Sequence, residues 1–259
     1  MATRDITGAR HALLAGLIDH AALFPPASLP VDAAIEVDRA ARATPQAWML
    51  HRFLVPASKL VELPADFDPP LGVIVDVDEL PPLSPQVEVV EARLERAGAV
   101  EGVGARVFLE VPAGDDAALD AVAEAGAGAK VRCGGAAPEL FPTSAELAHF
   151  VCGCRDRGLA FKATAGLHHP IRDGVAHGFL NLLGATLLAH AAGAGTEEVA
   201  ELLADEDAAA FSVTDEAFTV RGQAFGAGAV AAARQGLFTG YGSCSFSEPV
   251  EDLRALGVL

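Results

Sequence analysis

Two of the chain's three lysines lie inside short apolar segments. Lys130 lies in AKVRCGG at 129–135, and Lys162 lies in AFKATAGLHHP at 160–170. An unpaired ammonium is costly in apolar surroundings, whereas a lysine that loses its charge there can act as a nucleophile. The pattern indicates either functional amines or structural salt bridges between neighbouring strands, and the sequence leaves both interpretations open.

Other polar residues of types used in catalysis and anion binding lie in or just after similar apolar segments. Carboxylates and imidazoles exchange protons during catalysis, which makes three of these residues candidate catalytic groups beside the lysines. These three are Asp19, His20 and Glu110. The candidates for substrate binding are Arg52, Arg132, Thr164, Gly134, Gly135, His168, His169 and Ser243.

The cationic candidates indicate the charge of the ligand. Arg52, Lys130 and Arg132 are predicted near Lys162 in a chain whose formal net charge is −17. Local positive charge in an acidic protein favours a small anionic metabolite as the substrate. The glycine pair after Arg132 and the segment 242–247 before the last helix could present backbone N–H groups to a phosphate or carboxylate.

Eight short apolar segments, separated by helical patterns, predict the elements that position these residues. The predicted strands are 17–24, 48–55, 71–77, 87–94, 106–111, 130–133, 161–164 and 237–241. This alternation predicts a single-domain α/β protein, a (β/α)8 TIM barrel over residues 1–259, with an open doubly wound sheet as the alternative. In such a barrel the site lies at the carboxyl ends of the strands, where the candidates converge.

Two segments late in the chain carry further predictions. Residues 211–220 alternate in two short halves and predict a hairpin inserted before the last barrel unit. Residues 223–234 are predicted to be helical.

Composition excludes several classes of partner. The negative charge argues against nucleic acid and anionic membranes, and the longest apolar run, 178–195, carries Asn181 and His190, so it predicts a packed helix. Four cysteines without a framework spacing predict a cytoplasmic protein. No G-x-G-x-x-G follows a predicted strand, so no cofactor is predicted. The oligomeric state stays open, a homo-oligomer included.

Short patches resemble a known family. IDHAALFPP at 18–26 is similar to the first-strand segment I-D-H-T-x-L-x-P of deoxyribose-phosphate aldolases. FKATAG at 161–166 resembles that family's strand around its Schiff-base lysine, K-T-S-T-G, and AKVRCGG resembles another lysine-bearing strand of such barrels. The whole chain also resembles an uncharacterised family of barrel proteins that share FKATAGLHHP and a terminal GSCSF, which implies no activity.

The aldolase resemblance implies a class I mechanism, in which one lysine forms an imine and a second lysine favours its free amine. Carried over from the family, Lys162 is the imine candidate and Lys130 is its neighbour. This mechanism requires the cations to lie closer to the Lys162 amine than Glu110 does. The family's second key lysine follows the imine strand, whereas segment 177–185 has none. The family's buried aspartate on a middle strand has no clear match, and Glu110 is the candidate substitute.

Three functions therefore stand at this point. The first is a Schiff-base lyase of the class I aldolase type that acts on a small anionic oxo or phosphorylated substrate. The second is a metal-dependent lyase or hydrolase that uses the region of His168 and His169, although adjacent histidines point apart and no standard metal motif is present, so no metal ligand is assigned. The third is a non-catalytic barrel that binds an anionic metabolite.

Overall fold

The computed structural model describes residues 8–135, 137 and 140–259. It contains a closed barrel of eight parallel strands, which confirms the predicted α/β (β/α)8 TIM-barrel fold. The strands are β1 (Ile18–His20), β2 (Leu50–Pro56), β3 (Leu71–Ile74), β4 (Val87–Arg93), β5 (Arg106–Val111), β6 (Gly128–Arg132), β7 (Phe161–Thr164), β8 (Phe211–Val213), β9 (Ala217–Val220), β10 (Gln223–Gly226) and β11 (Phe238–Ser243). Strands β1 to β7 follow one another around the barrel, and β11 closes it between β7 and β1.

Helices alternate with most of the barrel strands and cover them on the outside. They are α1 (Ala9–Leu14), α2 (Val31–Arg42), α3 (Asp116–Glu124), α4 (Ser144–Asp156), α5 (Phe179–Leu187), α6 (Thr196–Leu203), α7 (Ala227–Gly236) and α8 (Ser247–Ala255). Helix α4 begins at a capping box, in which Thr143 and Glu146 satisfy each other's backbone N–H groups. Among the described residues, no helix combines the length and the apolar character needed to cross a membrane.

Strands β8, β9 and β10 form a separate antiparallel sheet between α6 and α7. The backbone N–H of Ala9 in α1 donates to the carbonyl of Asp215 at 2.7 Å, so this sheet is joined to the first helix. The segment 211–220, expected to form a hairpin, carries the first two strands of this sheet.

The predicted helix over 223–234 is wrong in its first four residues, which form β10. Arg221 and Gly222 have positive φ values of 48° and 81°, and they join Val220 to its partner Gln223 in a two-residue turn. Turns with two positive φ values match the twist of a hairpin, so the chain reverses here instead of starting a helix.

Successive side chains of a strand point alternately into the barrel and toward the helices, so the barrel interior and the layer beneath the helices form two separate cores. Phe161 faces outward and packs edge-on against Phe150 of α4, with ring centroids 5.3 Å apart. Lys162 takes the opposite face and lies inside the barrel, with its Nζ 5.9 Å from the centroid of Phe108. A Cβ on Gly128 would lie 2.5 Å from Cε1 of Phe108, so only glycine leaves room for this ring. Phe108 thus forms an apolar support beneath the charged interior.

Candidate active site

Lys130 and Lys162 are direct neighbours on strands β6 and β7. Their Cα atoms are register partners in the parallel ladder, which confirms that the two lysines lie on adjacent strands. Register partners point to the same side of a sheet, so both amines enter the barrel interior. Both residues are buried.

Glu91 of β4 lies between the two amines and contacts both. Its Oε2 is 2.8 Å from Nζ of Lys130, and its Oε1 accepts a hydrogen bond from Nζ of Lys162. Lys162 also donates to Asp19 of β1, and Lys130 lies 3.0 Å from Oε2 of Glu110 on β5. We call these five residues the buried charge network.

Opposite charges alternate along this network, and their contacts shift the pKa values of its carboxyl groups and of Lys130. Burial by itself would raise the pKa of Glu91, but Lys130 and Lys162 outweigh burial and lower it to about 2. The pKa of Asp19 is also lowered against the effect of burial, with Lys162 as the main charged cause. Burial would lower the pKa of Lys130, but Glu91 and Glu110 raise it above its usual value. The carboxylates and Lys130 are therefore ionised at neutral pH.

The surroundings of Lys162 differ from the sequence-based expectation. Cations were expected to lie closer to its amine than Glu110 does, and the structure places the carboxylates of Asp19 and Glu91 in contact with the amine. The sequence did not predict these two contacts, and closure of the barrel brings Glu91 across from β4.

Glu110 is the most exposed of the five residues in the network. The side chains of Lys162 and Glu91 are each 2% exposed, whereas that of Glu110 is 17% exposed. Glu110 lies 3.3 Å from Nε of Arg132, whose side chain is 42% exposed. A molecule arriving from the carboxyl ends of β5 and β6 meets Arg132 and Glu110 first, then Lys130, and Lys162 last.

Arg52 lies on the far side of Asp19 from Lys162. Its backbone N–H donates to Oδ1 of Asp19 at 3.1 Å, and its Nη1 is 3.5 Å from the same oxygen. Its Nε is 2.9 Å from Oε2 of Glu88. Two carboxylates thus already balance the charge of this predicted substrate-binding residue.

His20 occupies the opposite face of β1 from Asp19 and does not join the network. Its Nδ1 lies 2.9 Å from Oδ1 of Asp38 in α2, between the barrel and the helices. Arg42 donates to the other oxygen of Asp38 at 2.6 Å. The predicted role of His20 in moving protons beside the lysines is therefore corrected, because neighbouring residues on a strand face opposite sides.

The remaining predicted binding residues lie in the loops around the mouth of the barrel. Gly134 is buried against Gly166, Gly135 is exposed, and Thr164 at the end of β7 is half-buried. The hydroxyl of Ser243 donates to the carbonyl of Ser245 at 2.6 Å. The anion site predicted from these loops stays a prediction.

His168 and His169 each face a separate carboxylate of α8. Nδ1 of His168 lies 3.3 Å from Glu248, and Nδ1 of His169 lies 2.7 Å from Asp252. Within residues 8–135, 137 and 140–259, no group of three or more His, Cys, Asp or Glu side chains is arranged to hold a metal ion. The two histidines therefore link the loop after β7 to the last helix.

Sequence reasoning missed two residues of β4. Glu91 and Arg93 share the inward face of the strand with Val89, because alternate residues point to the same side. The available signal was a charged residue on the same face as a fully buried valine. Arg93 ends the strand, is exposed, and is the register partner of Glu110.

An open groove of about 890 Å³ lies at the other end of the barrel. It is lined by residues near the amino ends of β5 and β6, such as Arg106 and Gly128, and by no member of the buried charge network. Shape alone therefore does not identify the lysine site, which stands out by its chemistry.

No protein-family model matches the chain, and no curated protein matches it in sequence. The function is therefore inferred from the side chains gathered inside the barrel.

Proposed function

We propose that this barrel is a class I aldolase-like lyase, in which a lysine forms an imine with a small anionic oxo substrate. One observation carries the proposal: two buried amines share the carboxylate of Glu91, and Glu110 is the most exposed member of the network they form. A barrel interior with amines and carboxylates in contact holds both the nucleophile and the proton carriers that imine chemistry needs.

The order of exposure assigns the imine to Lys130. Its side chain borders the solvent-accessible Glu110, whereas Lys162 is covered by Asp19 and Glu91. The sequence resemblance favoured Lys162, but a carbonyl group that arrives at the mouth of the barrel meets Lys130 first. Lys162 then acts as a positioning residue, which holds Glu91 ionised and fixed between the two amines.

The reaction follows from the contacts of Lys130. Its ammonium gives a proton to Glu110, and the free amine attacks the carbonyl carbon to form a carbinolamine. Glu110 returns the proton to the departing hydroxyl, which leaves as water, and the iminium forms. The iminium accepts the electron pair of the adjacent C–C bond as that bond breaks. A carboxylate takes the proton of the hydroxyl group on the departing fragment, and the fragment leaves as a carbonyl product. Protonation of the enamine and hydrolysis of the imine restore the amine.

Reductive trapping tests the proposal directly, because the chain has only three lysines. The protein would be incubated with sodium borohydride and one probe at a time: acetaldehyde, pyruvate, glyceraldehyde 3-phosphate or dihydroxyacetone phosphate. Peptide mass spectrometry then locates the adduct. We expect labelling at Lys130 in the wild type and in the control Lys59→Arg, and none at that position in Lys130→Arg. No labelling above the level of Lys59 with any probe would rule the proposal out.

One observation favours a second candidate, a barrel that binds an anionic metabolite without turnover. Every amine of the buried charge network is paired with carboxylates, as in a structural ion-pair cluster. In that case the same probes raise the melting temperature of the protein, but borohydride traps no adduct.

A further inference from the structure

The carboxylate of Glu110 contacts both the candidate nucleophile, Lys130, and a cation at the barrel mouth, Arg132. Its Oε2 lies 3.0 Å from Nζ of Lys130, and its Oε1 lies 3.3 Å from Nε of Arg132. Burial by itself would raise the pKa of Glu110, but Lys130 and Arg132 together hold it below its usual value. Whatever changes the contact with Arg132 therefore changes how readily Glu110 accepts a proton.

Arg93 provides a second cation on β4, the strand that neighbours β5 on the side away from Arg132. The two residues are register partners on β4 and β5, and Arg93 is exposed at the end of its strand. In the part of the chain that the structure describes, no carboxylate oxygen lies within 4.0 Å of the Arg93 guanidinium, whereas Arg132 is paired. An arginine with no carboxylate partner among the described residues is notable at a barrel mouth in a chain of formal net charge −17.

We infer, on the basis of the proposed lyase function, that Arg93 and Arg132 bind the terminal phosphate or carboxylate of the oxo substrate and so release Glu110 to deprotonate Lys130. Arginine guanidinium groups match the planar and tetrahedral oxygens of such anions. Only one carboxyl group separates Arg132 from Lys130, so a substrate of about three to five carbon atoms spans the two with ordinary hydrogen bonds.

The anion acts on the proton balance through its position. It takes the place of Glu110 as the partner of Arg132 and lies closer to Glu110 than to Lys130, because the two arginines lie on the two strands that neighbour the strand of Glu110. Negative charge nearby favours the protonated form of a carboxyl group. One proton then moves from Nζ of Lys130 to Glu110, which converts the ion pair into a neutral pair and leaves a free amine for attack.

A matched pair of probes tests this inference. Glyceraldehyde and glyceraldehyde 3-phosphate differ only in the phosphate, and the rate of borohydride-trapped adduct at Lys130 would be measured with each. We expect the phosphorylated probe to react at least about tenfold faster in the wild type, since charge-assisted hydrogen bonds strengthen its binding. Arg93→Gln should lower this ratio by about tenfold. The control is Arg39→Gln, at an exposed arginine of α2 that pairs with Asp66, and it should keep the wild-type ratio.

A second measurement keeps the inference testable without any chemistry. Inorganic phosphate should raise the melting temperature of the wild type and of Arg39→Gln, but raise it far less in Arg93→Gln. Acetate in the same assay distinguishes a carboxylate site from a phosphate site. Equal trapping ratios in Arg93→Gln and the wild type, together with equal melting-temperature shifts by each anion in these two proteins, would overturn the inference while leaving the lyase proposal standing. Phosphate stabilisation that needs Arg93, with no trapped adduct from any probe, would instead overturn the lyase function.

Discussion

The carboxylate of Glu91 lies 2.8 Å from the amine of Lys130 inside a closed barrel, and its other oxygen serves Lys162. Charges this deeply buried are tolerated only when each is paired, because an isolated ion would lose its hydration without compensation. The interior of the barrel therefore depends on Glu91 for its stability as well as for its chemistry.

Replacement of Glu91 by glutamine should destabilise the protein by about 3–5 kcal/mol, because it leaves two buried amines with one fewer anion. Urea unfolding followed by circular dichroism measures the loss. Glu88→Gln on the same strand is the control: its side chain is 43% exposed, and surface ion pairs contribute less than about 1 kcal/mol. Equal effects of the two substitutions would contradict the role assigned to Glu91.

The contribution of Glu91 to stability should depend on pH. Its pKa in the folded protein is about 2, below the ordinary value of 4.5. A lowered carboxyl pKa gives stability that is present above the ordinary value and lost as the pH falls through the folded value. The difference in unfolding free energy between the wild type and Glu91→Gln should therefore shrink by roughly 2 kcal/mol between about pH 6 and pH 3. A difference that stays constant over this range would speak against the ionised carboxylate.

The two lysines should respond differently to replacement by arginine. Lys130→Arg removes the nucleophile while keeping the charge, so borohydride trapping and turnover should be lost. Lys162→Arg keeps the partner of Asp19 and Glu91, so labelling of Lys130 should persist at a reduced rate. Circular dichroism checks that both variants fold. Labelling that survives in Lys130→Arg and disappears in Lys162→Arg would transfer the imine to Lys162.

Gly128→Ala should destabilise the barrel by about 1–3 kcal/mol, because overpacking forces neighbours to move. The new Cβ would lie 2.5 Å from the ring of Phe108 and 2.9 Å from the backbone oxygen of Ala160. Gly98→Ala is the matched control, with no heavy atom within 4 Å of its added Cβ. Thermal unfolding of the two variants tests whether Phe108 is held as tightly as the structure indicates.

The sequence predicted the barrel and the placement of the two lysines on adjacent strands, because both depend on local patterns. The bounds of β5 and β7 follow from short apolar runs, and the shared level of Lys130 and Lys162 follows from strand adjacency. Glu91 could not be predicted in the same way. Glu88 and Glu91 are three residues apart in β4, so they lie on opposite faces, and only closure of the barrel shows which of them faces β7.

His20 illustrates a second limit of sequence reasoning. Neighbouring residues such as Asp19 and His20 point to opposite faces of a strand. The sequence motif that contains both does not show which of the two faces the barrel interior. The contact of His20 with Asp38 shows that here only the aspartate does.

The single carboxylate shared by two amines also limits how many of them can react at once. When Lys130 gives up its proton to form the imine, Glu91 is left with Lys162 as its one amine partner. Lys162 stays covered by Asp19 and Glu91, so the network offers one amine to a substrate at a time. At saturation with a trapped substrate we expect a stoichiometry of one adduct per chain, although two lysines lie inside the barrel.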